Sequence, residues 1–149
     1  IFVFITLNLV KEQVEYQAKG YKFQETMTIF KELQTQDLFR ERKYIYESFP
    51  EDIEGMNSRQ IKAHIQKAET AIIVFDRIGY LAYQNHIDVM PIMENHWSSI
   101  WRCWKKIKSI INWAQEQRNE PKYCEYFEYL FDLSEAYRIE NELEEPKIY

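Results

Sequence analysis

A chain of 149 residues that is 46% hydrophobic and 16% aromatic can bury one sizeable core and is too apolar for a disordered segment. Its formal net charge of −5 argues against a general nucleic-acid binder, and two cysteines without CxxC spacing argue against a secreted disulfide scaffold. Three glycines and four prolines are too few for a β-sandwich or a Gly-rich nucleotide fold.

The chain opens on IFVFITLNLV, an apolar run interrupted only by Thr6 and Asn8 and followed at once by Lys11 and Glu12. A bilayer span needs about 20 apolar residues, so the run is read as the end of a membrane-spanning helix. A buried strand or the end of an amphipathic helix is the plainer alternative. Val10, Val14 and Ala18 keep helical spacing, and Gly20 permits a bend before a helix carrying Phe23, Met27 and Phe30 on one face. Thr35 is placed to cap the next helix, Leu38 to Phe49, with Asp37 favourable in its first turn and Pro50 stopping it.

The acidic loop PEDIEGMN leads into the strongest periodic signal of the sequence. From Asn57 to Asn85, Ile61, Ile65, Ala68, Ile72, Phe75, Gly79 and Ala82 alternate at intervals of four and three, which predicts one central helix with a single apolar stripe. Asn57 and Ser58 supply capping oxygens, and the small residues Ala68, Ala71, Gly79 and Ala82 would let neighbouring helices approach. Asp88 caps a short helix with Pro91 in its first turn. Glu94 or Asn95 then opens a long helix through Trp97, Ile100, Trp101, Trp104, Ile107 and Ile111 to Arg118. Glu120 and Pro121 break it, and a last helix from about Lys122 to Leu143 carries a broad aromatic face. The expected fold is therefore all-α: a bundle of five or six helices whose N-terminal helix continues from a membrane span. Residues 1–15 form the span end and juxtamembrane segment, 16–145 the bundle and 146–149 a frayed tail.

Candidate chemistry is sparse. Arg59 and His64 spell R-x4-H, which resembles the catalytic motif of the all-helical HEPN ribonucleases, where such a pair acts at the scissile phosphate of RNA. That family usually carries Asn, Asp or His directly after the Arg, whereas Gln60 stands here; helix-surface residues are the plain reading. His86, Asp88, Glu94 and His96 are metal-ligand types, but their spacing matches no ligand motif, and neither a metal nor a cofactor is expected. The tryptophans of the long helix share a face with isoleucines, which reads as core packing with a solvated basic edge. Asp76 and Arg77 sit mid-helix as stripe-edge or paired charges, and Arg118 is expected to find an acidic partner on the last helix.

Several segments together resemble an uncharacterised bacterial family of single-span membrane proteins with an all-helical cytoplasmic domain. They are QDLFRERKYIYESFP, with Arg42 and Tyr46 as an Arg-x-x-x-aromatic pair, and AETAIIVFDRIGYLAYQNHID, with Asp76 where the family commonly has Glu. The others are the run from Trp104 through Ile111 to Arg118, and YCEYFEYL with Tyr123, Phe127 and Leu130. The resemblance implies an inner-membrane protein with its helical domain in the cytoplasm, no known catalytic residues, and Arg42, Asp76, Trp104, Arg118 and Phe127 as structural anchors. The leading functional expectation is a non-enzymatic domain that acts on protein partners or on itself, with the membrane reached through the N-terminal segment. A ribonuclease using Arg59 and His64 is the second expectation, and an adaptor with an amphipathic N-terminal docking helix the third.

Overall fold

What the sequence lays out as five or six helices is six in the computed structural model, which describes residues 1–148. They are α1 (Phe2–Leu33), α2 (Gln36–Ser48), α3 (Ser58–Lys67), α4 (Glu69–Tyr83), α5 (Val89–Arg118) and α6 (Glu125–Glu140). No strand occurs among the described residues, so Ile1–Val10 is not a buried strand. The frayed tail expected at 146–149 is non-helical through Ile148, and Tyr149 lies outside the described residues.

α4 and α6 make the most intimate pair, and α5 lies against α6. The core is centred there: Phe75 of α4 and Phe127 of α6 are fully buried with ring centroids 5.0 Å apart, and Trp104 of α5 closes on Phe127 at 5.1 Å. α2 packs on α4 and α5, with Leu38 and Ile45, seven residues apart on one face of the helix, both buried.

The apolar stripe of the central segment is buried from Ile61 to Gly79, but the helix that carries it is two helices. The chain breaks at Ala68 (φ −117°, ψ 10°), the C-cap of α3 and N-cap of α4. No glycine or proline marks the break. A distant side chain satisfies the new helix start: the Ala71 N–H donates to Glu41 Oε2 of α2 at 2.7 Å. The other departures also have local reasons. Thr35 precedes α2 without capping it, since its hydroxyl donates backward to the Glu32 carbonyl at 2.9 Å. Pro91 lies in the first turn of a single α5, where its missing N–H costs nothing, and Asp88 caps that helix by accepting from the Met90 N–H at 3.2 Å. Asn57 caps α3 in a capping box with Gln60.

α1 runs straight through Gly20 as 32 residues, about 48 Å of helix. Only its C-terminal third joins the bundle, through buried Thr26, Ile29 and Leu33; from Ile1 to Tyr21 every residue is exposed. The placement as a single-pass inner-membrane protein does not hold, because no helix of the described residues is long and apolar enough to cross a membrane. Nor is this part of α1 amphipathic, since Ile1–Val10 present apolar side chains on all sides.

Candidate functional site

Arg59 and His64 are both on α3, five residues apart and so about 140° apart around the helix. The chain does not bring them together. Arg59 is exposed and lines a shallow groove with Lys62 and Gln66. His64 turns instead into an aromatic corner of α2, with Nδ1 2.5 Å from the Tyr44 hydroxyl and its ring 5.7 Å from that of Phe49. Burial, and then nearby Lys67, lowers the His64 pKa from its ordinary value, so the imidazole is neutral at pH 7. General acid–base cleavage of a phosphodiester needs cation and imidazole on one phosphate, and this geometry separates them within the chain.

The metal-type residues from His86 to His96 are also dispersed: Asp88 caps α5, and His96, within that helix, packs on Phe30 with centroids 5.8 Å apart. No group of three or more His, Cys, Asp or Glu that could hold a metal ion forms among the described residues. Both cysteines are buried and free, and burial pushes each thiol up to about 12, which leaves no thiolate nucleophile.

The anchor positions fall into two networks. In the first, Asp76 of α4 reaches the start of α6, where Cys124 precedes the helix in the left-handed region (φ 59°) and offers no side-chain cap. Asp76 Oδ1 accepts from the Tyr126 N–H at 3.1 Å and the Phe127 N–H at 3.0 Å, so the cap comes from 50 residues away. Burial raises the Asp76 pKa above the ordinary carboxylate value, although the two N–H donors pull it down. One helical turn on from Asp76, Gly79 lets α6 approach so closely that a Cβ there would sit 1.8 Å from the Tyr126 carbonyl oxygen. Together these fix an aromatic ladder at the surface. Tyr80 and Tyr126 meet edge to face at 5.1 Å, Tyr83 and Tyr126 lie at 5.6 Å, and Tyr83 and Tyr129 meet edge to face at 5.4 Å. Tyr80 and Tyr83 are 42% and 60% exposed. Neighbouring Arg77 pairs with Glu32 of α1.

In the second network, Arg42 of α2 donates to the Leu33 carbonyl at the end of α1 (3.1 Å) and to Ser99 Oγ of α5 (3.3 Å). The Tyr46 hydroxyl shares the same Ser99 oxygen, and Arg102 stacks over the Tyr46 ring at 5.3 Å. Trp101 and Trp104 are buried, as their shared face with isoleucines predicts; Trp101 Nε1 donates to Glu135 Oε2 at 2.7 Å. Glu135 is held down to about 2, first by its hydrogen bonds from Arg138. Arg118 has no carboxylate within ion-pair distance among the described residues and lies 4.2 Å over the Tyr123 ring, a cation–π contact in place of the expected ion pair. Glu41, the tyrosine ladder and Arg102 carried no signal in the sequence beyond residue type, because each acquires its role from a distant element.

The chain matches no family model, no curated protein and no solved structure.

Proposed function

We propose that this domain works by contact, as a non-enzymatic helical interaction domain whose partner surface is the tyrosine ladder of α4 and α6. The observation that carries the reading is the fixed, outward-facing set Tyr80, Tyr83, Tyr126 and Tyr129. Tyrosine gives large contact area with few rotatable bonds, and protein interfaces are enriched in it. Rings held against one another, on helices locked by Gly79 and Asp76, lose little further freedom when a partner lands. Glu125 adjoins the ladder, and the chain is net acidic, so the partner is a protein presenting Arg, Lys and apolar side chains. The exposed apolar start of α1 adds a second surface that the bundle does not cover.

The test is a photo-crosslinking amino acid placed at Tyr83 or Tyr129 in cells that make the protein natively, with Lys62 as the control position. Crosslinks to one defined protein from both tyrosine positions, absent from Lys62 and lost when Tyr80 and Tyr126 are changed to Ser, support the reading. Equal crosslinking from all three positions, or none from the tyrosines, contradicts it.

A further inference from the structure

We propose that the cleft between α2 and α5 binds a phosphate dianion, free or as the monoester end of a small metabolite, between Arg42 and Arg102 and beside Ser99. This site is separate from the tyrosine ladder and does not depend on it.

The argument begins with charge. Acidic residues outnumber basic ones in this chain, 24 to 19. Arg40, Arg77 and Arg138 each hold a carboxylate. Arg42 and Arg102 are half-buried, line one cleft, and have no carboxylate within ion-pair distance among the described residues. Glu47 is the one carboxylate of the lining, 3.9 Å from the Lys43 ammonium, itself a third cation there, so three cations face one acidic group. A partly desolvated guanidinium without a counter-ion is costly, and two on one cleft favour an anion that neither finds in the protein.

Hydrogen bonding points the same way. Arg102 makes no hydrogen bond to the protein among the described residues: its Nε is buried without a partner, a rarity in a folded chain, and its terminal nitrogens, which are not buried, are the donors a ligand in the cleft can reach. Arg42 uses one N–H on Leu33 and another on Ser99, which leaves further donors of its fork unengaged. Its position is already fixed by those two bonds, so anion binding need not order it. Two guanidinium groups, an ammonium and the Ser99 hydroxyl offer more donors than the two oxygens of a carboxylate can accept. The three terminal oxygens of a phosphate fit them better.

Size and surroundings suit a small ligand. The cleft holds about 500 Å³, within the range of metabolite sites. Phe39, 56% exposed, stands in its lining and supplies an apolar surface for the carbon part of an ester. The binding groups come from α2 and α5, two regular helices, and so keep their spacing without a mobile loop.

The experiment is a nitrogen–proton correlation titration of the full chain with inorganic phosphate, phenyl phosphate and benzoate, following the Arg102 Nε–H and the Ser99 amide. Saturable shifts with phosphate, and at least about tenfold weaker binding of benzoate, are expected. Phenyl phosphate binding about threefold or more tighter than inorganic phosphate assigns the site to a monoester, and equal affinities assign it to free phosphate. Arg102→Gln should weaken phosphate binding about tenfold or more. If that variant does not fold, Lys43→Gln, at an exposed position, should weaken it about threefold, while Arg59→Gln on α3 leaves it unchanged. No saturation by about 20 mM phosphate overturns the proposal. So does benzoate binding as tightly as phosphate, or Arg102→Gln and Lys43→Gln binding like the parent chain.

Discussion

The first two-thirds of α1 and the α4–α6 seam are both helical and both rich in apolar residues, yet one is exposed along its whole length and the other is buried around Phe75 and Phe127. In α4 the apolar residues recur at three and four, so the helix has a face and the face has a partner. In Ile1–Val10 they fall on every side, and no neighbouring helix of the bundle covers them. A stripe gives a helix a place in a bundle, whereas apolar content alone leaves it outside. Stability should therefore be concentrated at the seam, and the bundle should present its tyrosines as a rigid platform regardless of what α1 does.

The largest way to break that contrast is to empty the seam. Phe127→Ala removes a fully buried ring that touches both Phe75 and Trp104, and should cost about 3–5 kcal/mol by urea denaturation. Gly79→Ala should cost about 3 kcal/mol by overpacking, because the added methyl meets the Tyr126 backbone carbonyl, which cannot swing aside as a flexible side chain would. The same substitution should collapse the Tyr83 crosslinking yield by shifting the ladder.

The stripe that runs through α3 into this seam was also the most legible part of the sequence. The stripe from Ile61 to Gly79, the small residue at Gly79 and the cap at Asn57 are local patterns, and these three hold in the fold, whereas the local cap at Thr35 does not. What stayed hidden was long-range. Nothing near Ala68 announces a break, since alanine is the best helix former; the new helix start is held by Glu41, 30 residues before the Ala71 N–H it accepts from. Asp76 is legible as a mid-helix charge and an anchor position but not as a cap, because its two acceptor bonds go to a helix start 50 residues on. The apolar start of α1 reads as a span by its composition, yet no helix among the described residues is long and apolar enough to cross a membrane. The α2–α5 cleft was visible only as Arg42 with Tyr46, while Arg102 joins them from 60 residues further on.

A smaller perturbation separates capping from charge. Asp76→Ala leaves the Tyr126 and Phe127 N–H groups without their acceptor and should cost about 2 kcal/mol, whereas Asp76→Asn keeps an acceptor and should cost less than half as much. The pH dependence has a definite sign. Because the folded chain holds the Asp76 proton more tightly than an ordinary carboxyl, the stability of the parent relative to Asp76→Asn should rise on acidification through the raised pKa. Glu135 should do the reverse. Its pKa lies at about 2, so its contribution is present above the ordinary value of 4.5 and is lost as pH falls toward 2; the parent should lose its advantage over Glu135→Gln over that range. Denaturation of the three chains between about pH 2 and 7 reads both signs.

The smallest expected effect lies in α1. Gly20→Ala meets open space and replaces a poor helix former by the best, so it should stabilise the local helix by about 0.5–1 kcal/mol. Global unfolding should scarcely change, because this part of α1 is not packed on the bundle; far-ultraviolet dichroism of the parent and variant would show the local gain.

Native-state hydrogen exchange, resolved by residue, tests the central contrast most directly. The amides of Tyr126 and Phe127 should exchange only with the full free energy of unfolding, as should those of α4 from Phe75 to Gly79. The amides of residues 6–20 should exchange through local opening at much lower free energy. Equal protection of α1 and the seam would contradict the account, and would mean that the exposed helix is held by a contact as strong as the core itself.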